Sequence, residues 1–226
     1  MEQQVIFTQR AFNAVVTETL DRNPLETGGI FIGYVLDNGI WIVVEAIPPG
    51  IKTVNRQAYF EYDADFINYL SNVIAKQYKG NLQVLGLWHR HPGSMDTFSG
   101  TDDVTNLKFS RANICGAISA LVNCDPKCRI TMYHVRHSGE YERIRWFVDD
   151  GLIPDRLLAL RFTKAEDLPV INLDGHVIDL DSASAESSVP VDGNPGVVEP
   201  APVEADYSMV DAVRDFKEII RKLLRK

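Results

Sequence analysis

Apolar residues along this chain change their spacing in a regular way. After "VIF" (residues 5–7), Thr8 is placed to cap a helix in which Phe12, Val15, Val16 and Leu20 recur at helical intervals, and Asn23-Pro24 ends it. The pattern then turns to β-branched and aromatic runs. "GGIFIGYVL" and "IWIVVEAI", separated by the tight-turn signal Asp37-Asn38-Gly39, predict a hairpin, and "AYFEY" a further short strand. Asp63 can cap a second helix with Phe66, Leu70, Val73, Ile74 and Gln77 on one face and Gly80 as its stop.

"LQVLGLWHRH" reads as a buried strand, followed by a polar stretch and a helix over about residues 99–112. Strands follow in "ICGAISALV", "RITMYHV" and "YERIRWFV", with Asp125-Pro126 and Ser138-Gly139 as turns. The order predicts an α+β domain over residues 1–150, a mixed sheet flanked by helices. Residues 151–181 form an extension without an assigned role, holding a short helical candidate, "DRLLALRF", and a strand-like "VINLDGHVIDL". Residues 182–205 are rich in Ser, Pro, Ala, Val and Glu and predict an unfolded linker. Residues 206–226 predict an amphipathic helix with Met209, Val213, Phe216, Ile220, Leu223 and Leu224 on one face and basic residues at its end. That helix fits protein docking better than membrane contact, because Asp206, Asp211, Asp215 and Glu218 dilute its charge.

Composition narrows the partners. A net charge of -8 and a pI near 5.1 argue against a nucleic-acid or anionic-membrane binder, both of which need a basic surface. No apolar stretch approaches the ~20 residues of a membrane span, and the start "MEQQVIFTQR" lacks the layout of a signal peptide, so the expected location is cytoplasmic. Three cysteines, Cys115, Cys124 and Cys128, read as reduced thiols, with Cys115 in the core of its strand.

The polar stretch "LWHRHPGSMDTFSGTDD" carries the chemistry. On a strand, His89 and His91 point to the same side with Cα atoms roughly 6.5–7 Å apart, close enough for two imidazoles to share one ion. Pro92 and Gly93 end the strand, and Ser99 opens a helix whose first turn carries Asp102, the natural third ligand. Two nitrogens and one carboxylate leave the fourth position of a tetrahedral zinc ion open, as catalytic sites require. Ser99 and Asp102 also form a capping-box pattern, which can hold at the same time. The "CDPKC" pair with His134 and His137 does not have the spacing of a second zinc site.

His-x-His-Pro, six residues, then Ser-x-x-Asp resembles the signature of the JAMM metalloproteases, also called JAB or MPN-plus. RadC-like proteins carry a similar His-x-His-Pro stretch, but the opening "ETGGIFIG" favours the JAMM peptidases. The resemblance covers about residues 1–150 and implies a JAB/MPN fold, cytidine deaminase-like, with three α/β/α-like layers. It implies zinc held by His89, His91 and Asp102. It also implies a general base on an early strand, which "PLETGGIFIGYV" supplies as Glu26, and it gives Ser99 to the oxyanion.

Such enzymes cut amides after the C-terminal tail of ubiquitin or a ubiquitin-like protein. The resemblance therefore implies deconjugation or precursor maturation in a bacterial ubiquitin-like conjugation or antiphage system, with activating and conjugating enzymes as further partners. A sulfur-carrier peptidase that releases cysteine and a non-catalytic MPN scaffold stand as alternatives. An extended substrate tail can add as a strand near Trp88 or Phe98; core packing is the expectation for Trp88, and Phe98 is open between the two roles.

Overall fold

The computed structural model describes residues 3–161, 163, 164, 170, 171, 177 and 178. The expected linker over 182–205 and helix over 206–226 lie outside the described residues.

The first unit runs to Ala159. It begins with strand β1 (Gln4–Phe7) and helix α1 (Gln9–Asp21). Thr8 joins them: its hydroxyl accepts from the Ala11 amide at 3.1 Å and donates to the Val44 carbonyl at 2.8 Å, so one side chain caps the helix and ties it to the sheet. Ala11, Val15 and Thr19 are the buried positions of α1, while Leu20 stands 59% exposed. The expected hairpin is β2 (Thr27–Val35) and β3 (Ile40–Ile47). A second small hairpin, β4 (Val54–Arg56) and β5 (Tyr59–Glu61), precedes helix α2 (Ala64–Ala75), which Asp63 caps. The helix stops at Ala75, ahead of Gly80, and it buries Ile67, Ser71 and Ile74 rather than Val73, which is 40% exposed.

Strand β6 (Gln83–Arg90) is followed by α3 (Gly100–Ala112), β7 (Ala117–Asn123), β8 (Arg129–Val135) and β9 (Tyr141–Val148). The sheet order is β1-β3-β2-β6-β7-β8-β9, mixed in direction, with β6 and β7 parallel and β2 antiparallel to both its neighbours. The α+β class is therefore as expected. The layered picture changes in one respect: β1 pairs in parallel with β3 on one side and β9 on the other, so the sheet closes. Gly86 lets β6 run close to β7. Its φ is +149°, and a Cβ there would lie 1.8 Å from the Ile118 carbonyl oxygen.

Alternation along the strands divides the core in two. Ile30, Ile32, Val44 and Leu87 pack with Ile67 and Ile74 of α2 and Phe109 of α3. Phe31, Val43, Leu85 and Trp88 pack with Ala11 and Val15 of α1. Trp88 is 1% exposed and belongs to the core, as its position opposite the histidines predicts.

Two expectations fail locally. Cys115 is exposed: β7 starts only at Ala117, after Gly116 at φ +84°, so the apolar Ile114-Cys115 pair lies in the turn ahead of the strand. Of the helical candidate "DRLLALRF", the described residues 155–161 hold a single 3₁₀ turn, Asp155–Leu157, after which Leu158 is extended. All three cysteines are free. The second unit starts at Leu160; within it Val170–Ile171 and Val177–Ile178 pair antiparallel, in line with the strand-like pattern there.

Candidate metal centre

The site forms where β2 and β6 lie side by side. In that pairing Gly28 is opposite His89 and Thr27 opposite Arg90, so Glu26, just ahead of β2, arrives beside the histidines. Its Oε2 is 3.7 Å from His89 Nε2. The alternation of β6 puts the two imidazoles together, ring centroids 4.8 Å apart, and the His91 amide donates to the Val122 carbonyl at 3.0 Å, continuing the β6–β7 ladder past the end of the strand. Both histidines are buried. Gly28 keeps the approach narrow: a Cβ there would lie 2.6 Å from the Trp88 carbonyl oxygen and 2.9 Å from the Phe60 ring.

The N-terminus of α3 brings the second carboxylate. Asp102 Oδ1 lies 2.9 Å from His89 Nδ1 and its Oδ2 lies 3.2 Å from His91 Nε2, so one carboxylate bridges both rings. The capping box forms as well. The Ser99 hydroxyl accepts from the Asp102 amide at 3.2 Å, and Asp102 Oδ2 accepts from the Ser99 amide at 2.8 Å. The helix cap and the histidine contact are thus two uses of the same side chain.

These contacts set the charges. Burial disfavours an imidazolium at His89, but hydrogen bonding to Asp102 and the nearby Glu26 carboxylate outweigh it, and its pKa is raised to about 9. Burial would raise Asp102, yet its contacts with His89 and His91 win and hold it far below the usual carboxylate range. Tyr62 is pushed strongly up, first by burial and then by the Asp102 charge, and stays a neutral phenol.

Glu26, His89 and His91 each offer a ligand atom within 4.8 Å of the others'. The compact trio of the structure therefore contains Glu26, expected as the base, while Asp102, expected as a ligand, lies in contact with both rings, at 2.9 Å from His89 and 3.2 Å from His91. The donor set suits a divalent ion. His89 Nε2 and His91 Nδ1 are buried and have no hydrogen-bond partner among the described residues, and imidazole nitrogens with carboxylates are the ligands that zinc takes.

Around the centre, Phe60 lies 5.5 Å from the His89 ring, and Phe98 lies 6.5 Å from His91 while stacking on Tyr141 at 4.9 Å. Phe98 is thus half-buried packing beside the site. His134 is held by the Cys115 carbonyl and His137 by the Asn113 carbonyl, so neither joins Cys124 and Cys128 in a second centre.

Sequence reasoning missed two supports of Glu26. Strand β4 escaped notice because its turn to β5, Gln57-Ala58, has no glycine or asparagine; the short alternation "TVNR" before "AYFEY" was the available signal. Its Arg56 carbonyl accepts the Glu26 amide at 2.9 Å, and Asn55 Nδ2 donates to the Glu26 carbonyl at 2.8 Å. The other support is Arg90, a charged residue only 2% exposed.

Residues 8–133 match a family model described as prokaryotic homologs of the JAB domain. A protein of Enterobacter hormaechei subsp. hoffmannii named CD-NTase/cGAS isopeptidase is 28% identical over 110 residues, which is 48% of this chain and 59% of that protein. The chain thus spans about three fifths of that relative's length. A solution structure of a Desulfitobacterium hafniense protein is similar at a TM-score of 0.48 and 16% identity, covering 66% of this chain and 94% of the other.

Proposed function

This chain belongs to the family of prokaryotic homologs of the JAB domain, and from that premise we propose that it is a zinc-dependent isopeptidase. It cleaves the amide that follows the C-terminal tail of a ubiquitin-like protein. The observation that carries the reading is the convergence of Glu26, His89 and His91 within 4.8 Å, with Asp102 in contact with both rings. The name of the Enterobacter relative supports an isopeptidase, and makes a conjugate of a CD-NTase the first substrate to try. Activating and conjugating enzymes of the same antiphage system are the proposed partners, and residues 1–150 the catalytic domain. No helix among the described residues is long and apolar enough to cross a membrane, which is compatible with a cytoplasmic site of action.

His89, His91 and Asp102 would hold the ion, with Glu26 beside it. Zinc, when bound, acidifies a water and polarises the scissile carbonyl. Glu26, partly buried beside His89, takes the proton of the attacking water and returns it to the departing amine. The Ser99 oxygen is already used as an acceptor by the Asp102 amide, which leaves its hydroxyl proton free to donate to the oxyanion. Phe60 and Phe98, one near each histidine, favour a tail of small residues.

The test is a ubiquitin-like protein fused through its terminal glycine to a reporter, incubated with the purified protein with and without a chelator. Cleavage is expected only with metal, and to be abolished in Glu26→Gln with zinc still bound. Cleavage that persists in Glu26→Gln removes the glutamate from its role, and absence of stoichiometric zinc in the purified protein turns the reading towards a non-catalytic scaffold.

A further inference from the structure

Arg90 sits between the two histidines in sequence, and the alternation of β6 turns it to the opposite face. It is 2% exposed, and its partners are a backbone carbonyl and a side-chain amide rather than a carboxylate. Nη1 donates to the Leu25 carbonyl, Nη2 donates to Asn23 Oδ1 at 2.5 Å, and Nε has no hydrogen-bond partner among the described residues. A buried guanidinium without an anion is costly, and an apolar side chain of similar volume would fill the space at lower cost. What the arginine does that an apolar residue cannot is hold two acceptors on one short segment.

That segment ends at Glu26. The Leu25 carbonyl belongs to the peptide group that supplies the Glu26 amide, and that amide donates to the Arg56 carbonyl at 2.9 Å while the Glu26 carbonyl accepts from Asn55 at 2.8 Å. The backbone at Glu26 is therefore held by β4 at its own amide and carbonyl, and by Arg90 at the preceding carbonyl. Its carboxylate, at the end of this support, lies 3.7 Å from His89 Nε2.

We propose that Arg90 is a positioning residue for the Glu26 carboxylate. In His89-Arg90-His91 the histidines set the metal side of the site and the interleaved arginine sets the side of the base. A lysine cannot replace it, because one ammonium on a flexible stem does not span the Leu25 carbonyl and the Asn23 amide as a planar fork does. The inference rests on the reading of Glu26 as the proton carrier. A displacement of about 1 Å at a reacting group can cost about 100-fold in rate, which sets the expected effect.

The experiment compares Arg90→Ala, Arg90→Lys and the exposed Asn23→Ala with the full-length zinc-loaded protein on the reporter fusion. Expected are unchanged zinc content and KM, a kcat lowered by about 100-fold in Arg90→Ala and by less in the other two, and partial restoration of Arg90→Ala, but not of Glu26→Gln, by millimolar guanidinium ion. Hydrogen exchange on the metal-free protein gives a second readout: the Leu25 and Glu26 amides exchange faster in Arg90→Ala and Asn23→Ala, while the Ile118 amide on β7 does not. An unchanged kcat, a changed KM at constant kcat, or faster exchange spread over β6 and β7 overturns the proposal. If the wild-type protein leaves the fusion uncut, the isopeptidase reading fails, and the exchange at Leu25 and Glu26 still decides whether Arg90 holds that segment. Asn23→Ala keeps the test open should Arg90→Ala fail to fold.

Discussion

With the candidate metal site kept empty by chelator, raising the pH should weaken this protein by neutralising His89, which is held charged first by Asp102 and then by Glu26. In the metal-free fold His89 is buried against Asp102 at 2.9 Å, and its pKa is raised from 6.5 to about 9. A raised pKa stabilises the fold fully below the unfolded value of 6.5, and that stabilisation is lost as the pH climbs through 9. At about 1.4 kcal/mol for each pH unit of difference, the full loss is about 3.5 kcal/mol, of which about 3 kcal/mol falls between about pH 6 and about pH 9.5. Asp102 is shifted the opposite way, so its contribution is present above its ordinary value near 3.8 and lost only in acid. Both shifts describe the same contact and are not added. The pair therefore contributes fully between about pH 4 and pH 6.5.

The assay is urea unfolding in excess chelator at about pH 6 and about pH 9.5, on wild type and on His89→Gln. Groups remote from His89 contribute equally to both proteins and cancel in the difference. Wild type is expected to lose about 3 kcal/mol more than the variant over this interval. Equal losses would mean that His89 is neutral in the metal-free fold, and the charge assignment of the centre would be wrong.

Two further outcomes follow from the geometry. Ser99→Ala removes the hydroxyl that accepts from the Asp102 amide, so thermal or urea unfolding should show a loss of about 1 kcal/mol, and kcat on the reporter fusion should fall by about 100-fold or more at unchanged zinc content. A stability loss with full activity would limit Ser99 to the helix cap. Gly86→Ala should lower stability by about 3 kcal/mol or more, because the new Cβ falls 1.8 Å from the Ile118 carbonyl at a backbone φ of +149°; a melting temperature like that of wild type refutes the close β6–β7 approach.

What could be read from the chain was short-ranged. Thr8, Asp63 and Ser99 cap their helices, and each does so through groups within three residues. His89 and His91 share a side because a strand repeats every second residue. The errors were also local in origin but long-range in cause. Of the face read along α2, Phe66, Leu70 and Ile74 do pack on the core, but Val73 is 40% exposed, and packing on the sheet also turned Ile67 and Ser71 inward, accepting a buried Ser71 hydroxyl without a hydrogen-bond partner among the described residues. Apolar "IC" looked like the start of a strand, but β7 pairs only from Ala117 onwards, where β6 and β8 are available to it.

The sequence by itself determined which candidate ligand types the chain offers, that His89 and His91 share one side of their strand, and that Asp102 stands in the first turn of α3. Tertiary structure decided that Glu26 meets them, since that depends on the β2–β6 register across more than fifty residues of intervening chain, and a slip of one position would move Gly28 away from His89 and turn each side chain to the other face. It also decided the use of Arg90, the support from β4 and the closure through β1. The physical reason is that dihedral preference and side-chain period act over a few residues, whereas register is chosen by the summed burial of both core clusters and by the pairing of backbone groups from distant segments.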